Sequence, residues 1–197
     1  MKVTLKFATP EPVHAANDAA ALCYGKEDYS PKRVKRCIGM GHDSIAEHVY
    51  VSFLVQEVSR SCTHQLVRHR LASYNQKSQR YCKMKLEMCD WFVVPQTVKD
   101  AGHEEDFVNM AEDCLDLYCA MMKDGVPAED ARYILPEGTH TEIIVTMNAR
   151  ELFHFFELRM DKAAQWEIRE LAETMYSLLE KESEEWVEFL EIWKARQ

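Results

Sequence analysis

Apolar and polar residues alternate at two places early in the chain, Val3-Leu5-Phe7 and Val49-Val51-Phe53-Val55. This is the two-residue period of a half-buried strand. Residues 139–147, "THTEIIVTM", are rich in β-branched side chains and predict a third. Elsewhere the period lengthens. "EPVHAANDAAALCY" and "SPKRVKRCIGMG" predict short helices, the second opened by Ser30 and Pro31 and closed by a glycine. In "EEDFVNMAEDCLDLYCAMMKDG" the residues Phe107, Met110, Ala111, Cys114, Leu117, Tyr118 and Met121 recur at three and four. That spacing predicts a long core-facing helix stopping at Gly125 before Pro127. "NARELFHFFELR" and "AAQWEIRELAETMYSLLEKESEEWVEFLEIW" complete a helix-rich C-terminal half. With no linker, low-complexity tract or repeat, the expectation is one α+β domain over residues 1–197, helix-rich with a small, mainly antiparallel sheet.

Composition narrows the function classes. A chain of 197 residues that is 47% hydrophobic can bury one sizeable core. The opening "MKVTLKFATPEPVH" has no long apolar region of a secretory signal, and no apolar run approaches a membrane span. The seven cysteines form an odd set without a C-x-x-C pair, and the eight histidines complete no metal-ligand spacing with them. Free thiols in a reducing cytoplasm are expected, and no metal. A net charge of -9 argues against a general nucleic-acid or membrane-surface binder.

Against that acidic background, residues 58–86 contain no Asp or Glu, although the chain holds 33. The same window collects Arg60, Arg68, Arg70, Lys77, Arg80, Lys83 and Lys85. A solvated helix face intersperses its signs, so this segment is expected to meet an anion. The alternative is a basic edge pairing with the acidic C-terminal helix of a neighbouring subunit. Ser59 or Ser61 can cap a helix over "CTHQLVRHR", after which "SYNQKSQRY" reads as a Ser/Asn/Gln loop. Guanidinium forks suit phosphates.

"RHR" followed by seven residues and Ser78, then Arg80 and Tyr81, resembles the signature of the flavin-dependent thymidylate synthases. "GHDSIAEH" upstream, "ARYILP" at 131–136 and "MNARELFHFFELRMDKAAQWEI" downstream are similar to further blocks of that family, in the same order. The resemblance implies a homotetramer with active sites between subunits. It makes dTMP from dUMP, taking carbon from methylenetetrahydrofolate and hydride from FAD reduced by NADPH, and releases tetrahydrofolate. In that chemistry reduced flavin stands where other thymidylate synthases use a cysteine in a Pro-Cys-His context. None of the seven cysteines has such neighbours.

Carried over by position, the dUMP contacts are Gln65, Leu66, Val67, Arg68, Gln76, Lys77, Ser78, Gln79, Arg80, Arg132 and Arg159. The FAD contacts are Ser44, Arg68, His69, Arg70, Gln76, Asn148, Ala149, Arg150 and His154, and His42 and Glu47 sit in a block the family keeps near the flavin. Arg159 is the catalytic candidate. Its N–H donors would meet the uracil carbonyl and N3 edge and stabilise charge as C5 becomes the attacking carbon; the competing reading is a helix-end arginine favoured by the dipole. Ser78 fits phosphate binding better than nucleophilic attack, because no His-Asp pair stands near it in sequence. Asn148 also reads as an N-cap for "ARELFHFF", and His154, among Phe153, Phe155 and Phe156, as a core or interface histidine. The chain departs from the family pattern at Gln76, commonly Glu in relatives, and at Ala163, where some members have His. Two other readings remain: a flavin- and nucleotide-binding relative without turnover, and a helical module clamping single-stranded nucleic acid with Tyr74 and Tyr81.

Overall fold

A computed structural model describes residues 1–84 and 91–196; Lys85, named above, and Cys89, one of the seven cysteines, lie outside the described residues. The chain begins with strand β1 (Lys2–Ala8), helices α1 (Pro12–Cys23) and α2 (Pro31–Gly39), and a 3-10 turn at Asp43–His48. Strand β2 (Tyr50–Ser59), helix α3 (Arg60–Leu66) and strand β3 (Ala72–Gln76) follow. Next come α4 (Gln96–Asp100), α5 (Glu104–Lys123), α6 (Ala128–Ala131) and a 3-10 turn at Arg132–Ile134. Strand β4 (His140–Asn148) leads into α7 (Ala149–Arg159), α8 (Trp166–Glu180) and α9 (Glu184–Lys194). Among the described helices none is long and apolar enough to cross a membrane.

The strands form one small antiparallel sheet in the order β1-β2-β4-β3. Val51, Phe53 and Val55 of β2 and Ile143, Val145 and Met147 of β4 are all buried, as the alternation predicts for central strands. On the edge strand β1 the alternation fails: Phe7 is 52% exposed while Ala8 is buried.

The chain forms two compact units, one of Met1–Lys2, Gln56–His64 and Asn75–Ile143, the other of Val3–Val55, Gln65–Tyr74 and Ile144–Gln197. Each of the four strands has residues in both. In the first unit, Trp91, Ala111, Leu115, Tyr118 and Ala131 make the buried cluster. The face of α5 is narrower than the sequence pattern predicts. Ala111, Leu115 and Tyr118 are buried at i, i+4 and i+7, whereas Met110 is 63% and Leu117 49% exposed. One stripe meets Trp91 and Ala131, so apolar residues flanking it are left outside. A Cβ on Gly138 would lie 3.0 Å from the Val93 carbonyl oxygen, in the close pairing that brings Val93 N to the Gly138 carbonyl at 2.8 Å; only glycine fits there without a shift.

In the second unit the aromatic residues of the C-terminal half form the core. Phe153 stacks on Trp193 at 5.3 Å and contacts Phe189, and the Trp186 indole N–H donates to the Thr9 carbonyl at 3.0 Å. The side chains of Asn148, Gln165 and Ser183 cap α7, α8 and α9, so the long C-terminal pattern is divided by a local stop at each cap.

Two expectations for the basic segment change. The helix after β2, with Ser59 Oγ accepting from Cys62 N at 2.9 Å, stops at Leu66 rather than running through Arg70. The Tyr74 hydroxyl lies 2.8 Å from the carbonyl oxygens of both Leu66 and His69 and shares its hydrogen between them, ending the helix. Residues 73–76, expected as loop, belong to the edge strand β3. Polar Ser, Asn and Gln side chains hide it in the sequence, and pairing with β4 overrides their propensity.

Candidate active site

Helix α7 carries an acid on its buried face. Glu151 is enclosed with Leu152, Phe153, Phe155 and Phe156, and a carboxylate there requires a partner. That partner is His69, only 3% exposed, whose Nδ1 lies 3.1 Å from Glu151 Oε1. On the other side of the ring, Arg159 Nε donates to His69 Nε2 at 3.1 Å. An arginine N–H can only donate, so Nε2 is the acceptor, the ring proton sits on Nδ1, and Nδ1–H donates to Glu151. Burial, then the Arg159 charge, then His154 hold the imidazole at about 4, well below its ordinary 6.5. The ring is therefore neutral at pH 7. Burial pushes the Glu151 carboxyl up, and burial together with Glu151 pushes the Tyr74 phenol up, keeping it a donor. Among the described residues, the Arg159 guanidinium donates from Nε to His69.

Other sequence-predicted residues of this unit divide by exposure. Val67, Arg68 and Arg70 are exposed, while Leu66 is buried with its carbonyl engaged by Tyr74. His154 is exposed, its ring centroid 5.6 Å from that of His69, so it is not a core residue of the chain. Asn148 Oδ1 accepts from Glu151 N at 3.0 Å, the capping role read from the sequence. Buried Ala149 donates its N–H to Val49 O at 2.7 Å. Arg150 pairs with Glu47, and Arg150, His42 and Ser44 line a cavity of about 320 Å³.

In the first unit Ser78 builds a tight turn. Its Oγ accepts from Arg80 N at 3.2 Å and its carbonyl accepts from Cys82 N at 2.8 Å, which leaves the hydroxyl hydrogen for an acceptor outside the turn. Arg80 pairs with Glu129 and lies 5.5 Å over the Tyr81 ring. Arg132 Nε donates to the Glu129 carbonyl at 3.1 Å. Gln76 turns its amide inward, donating to Thr63 Oγ1 at 2.9 Å and Thr141 Oγ1 at 3.2 Å. Two hydroxyls suit an amide donor, so the Gln found in place of Glu has a physical use. Lys77 pairs with Glu142 at 2.8 Å, and bonds from Lys77 and Gln56 hold the Glu142 carboxyl below its ordinary range. Both residues border a cavity of about 190 Å³ with Gln79, Cys82 and Glu57. Glu57 has a φ of +56, a strained left-handed conformation inside β2.

A family model described as thymidylate synthase complementing protein matches residues 4–183. The flavin-dependent thymidylate synthase of Geobacter sulfurreducens is 44% identical over 193 residues, which cover 91% of this chain and 82% of that one. The chain belongs to the flavin-dependent thymidylate synthase family. The Pyrococcus furiosus member is 42% identical over 194 residues, 92% of this chain and 80% of its own. Among solved structures, the flavin-dependent thymidylate synthase ThyX of Helicobacter pylori complexed with FAD and dUMP aligns with a TM-score of 0.73 and 28% identity, covering 91% of this chain and 94% of that one. A UMP/dUMP methylase PolB from Streptomyces cacaoi bound with 5-Br dUMP shares the fold, with a TM-score of 0.80 at 23% identity over 91% and 90% of the two chains.

Within the family frame, one unit holds Ser44, Gln65 to Arg70, Asn148 to Arg150, His154 and Arg159, the other Gln76 to Arg80 and Arg132. Sequence reasoning missed Glu151. Its signal was an acid beginning an otherwise apolar run, at the position that shares a helix face with Phe155.

Proposed function

We propose that the chain makes dTMP by reductive methylation of dUMP, with methylenetetrahydrofolate as carbon donor and tetrahydrofolate as product, working as one domain in a homotetramer with active sites between subunits. The observation that carries the reading is Arg159 held on neutral His69 in a member of this family. The donor set suits FAD. Arg68, Arg70 and Arg150 are exposed guanidiniums that match a pyrophosphate, and the Ser44 hydroxyl with His42 borders a cavity beside Arg150. FAD, reduced by NADPH, supplies the hydride that completes the methyl group when bound.

The protein's own contribution is binding, orientation and electrostatics. Ser78 and Arg80 take the nucleotide phosphate, with Arg132 beside them in sequence role. Arg159 offers its two terminal nitrogens to the uracil edge, already aimed because Nε is fixed by His69. The neutral ring allows this, since an imidazolium would repel the guanidinium and lose the acceptor. Negative charge developing on the pyrimidine then meets a prearranged cation.

The test is tritium release from dUMP labelled at C5, with FAD, NADPH and methylenetetrahydrofolate supplied and each omitted in turn. Release that needs all three, with dTMP formed alongside, is the expected result. No release by folded, FAD-loaded protein would leave a nucleotide-binding relative without turnover.

A further inference from the structure

Arg196 stands in the turn after α9 and belongs to none of the carried-over contacts, yet it joins three elements of one unit. Its Nη1 donates to Asp43 Oδ1 and its Nη2 to Glu157 Oε1, both at 2.6 Å. The Trp193 indole N–H donates to the same Glu157 oxygen at 3.3 Å. The Arg196 and Asp43 side chains are only 21% and 20% exposed, so water screens this pair less than it screens a surface one. Burial opposes the Arg196 charge, and the bonds to the two acids outweigh it, raising its proton affinity.

Asp43 opens the 3-10 turn and lines the cavity of about 320 Å³ beside His42, Ser44 and Arg150. The donors of that cavity suit a pyrophosphate, and an unmatched carboxylate in its lining would repel such a ligand. Both acids of the turn are matched by an arginine, Glu47 by Arg150 of α7 and Asp43 by Arg196. Ser44 follows Asp43 directly, so the second pairing also holds the stretch that carries its hydroxyl.

We infer that Arg196 is a positioning residue for the flavin cofactor: by neutralising Asp43 it keeps the lining of this cavity receptive to anionic FAD. This rests on the FAD reading above. The guanidinium fork suits the task, because its two terminal nitrogens reach acids on two elements, Asp43 on the 3-10 turn and Glu157 on α7. Without it a partly buried carboxylate is left unpaired in the lining, and FAD brings further negative charge to the same place.

The experiment is titration of FAD into the full chain, followed by flavin fluorescence, for wild type, Arg196→Gln, Arg196→Lys and the double variant Asp43→Asn/Arg196→Gln, with thermal unfolding measured on each. The expected result is an FAD dissociation constant raised by about tenfold in Arg196→Gln and returned to within about threefold of wild type in the double variant, where the unmatched acid is gone. A residue that merely ties helices together would not be rescued by Asp43→Asn, so a double variant as weak as Arg196→Gln overturns the inference. Wild-type FAD affinity in Arg196→Gln overturns it as well. Arg196→Lys keeps the charge without the fork and should bind FAD within about threefold of wild type even where its thermal midpoint falls. It carries the test should the Gln variant not fold, a tenfold loss there overturning the inference. Failure of the wild type itself to bind FAD overturns the parent reading and this one with it.

Discussion

Arg159 Nε donates to His69 Nε2 at 3.1 Å, and the opposite nitrogen of the same ring lies 3.1 Å from Glu151. A buried carboxylate thus acts on a helix-end arginine through a neutral imidazole. The chain sets Glu151 and Arg159 eight residues apart on α7 and brings His69 to them from the turn after α3.

Acid should dissolve this arrangement. The folded His69 pKa of about 4 lies below the unfolded 6.5, so between those values the unfolded chain binds the extra proton. Stability from this residue is complete above pH 6.5 and is lost as pH falls toward 4, by about 3 kcal/mol in all. Glu151, whose carboxyl burial pushes up, acts in the opposite sense. The difference in unfolding free energy between wild type and His69→Gln isolates the histidine. It should narrow steadily from pH 7 to 5, and a difference independent of pH would refute the assignment.

Removing the guanidinium should separate chemistry from folding. Arg159→Ala is expected to lower turnover by on the order of 10²- to 10³-fold with FAD content and thermal midpoint near wild type. Arg159→Lys, lacking the fork, should recover little. An Arg159→Ala enzyme with normal kcat would remove Arg159 from catalysis.

Arg80 tests binding alone. Its pair with Glu129 is solvent-exposed on both sides and contributes at most about 1 kcal/mol to stability. Arg80→Ala should therefore unfold at nearly the same denaturant concentration while the dUMP dissociation constant rises by about tenfold or more. A large stability loss without a binding change would assign Arg80 to the fold.

Cysteine substitution distinguishes this chemistry from attack by a protein thiol. Cys82 is exposed and borders a cavity with Lys77 and Gln79. Cys82→Ser should retain turnover in steady-state assays. Abolished activity in folded, flavin-bound protein would falsify the flavin-based reading.

Local periodicity and ordered motifs were enough to place β1, β2 and β4, helices α1, α2 and α5 and the helical C-terminal half, the Asn148 cap and the four family blocks. These are legible because each depends on neighbours a few residues away: alternation, a three-to-four spacing, a cap, a signature. Strand β3 was not legible, because Ser73, Asn75 and Gln76 become strand only by pairing with β4. Nor was the early end of α3, imposed by the Tyr74 hydroxyl, or the exposure of Met110 and Leu117, set by what covers α5. The sequence by itself determined the family, the acid-free basic window and the residue types available for anions. Only the tertiary structure decided that His69 faces inward between Glu151 and Arg159, that Gln76 donates to two threonine hydroxyls, and that Arg60 Nη1 is buried with no hydrogen-bond partner among the described residues. The reason is that protonation state and hydrogen-bond demand follow from burial and from partners distant in sequence, and neither is encoded in a local pattern.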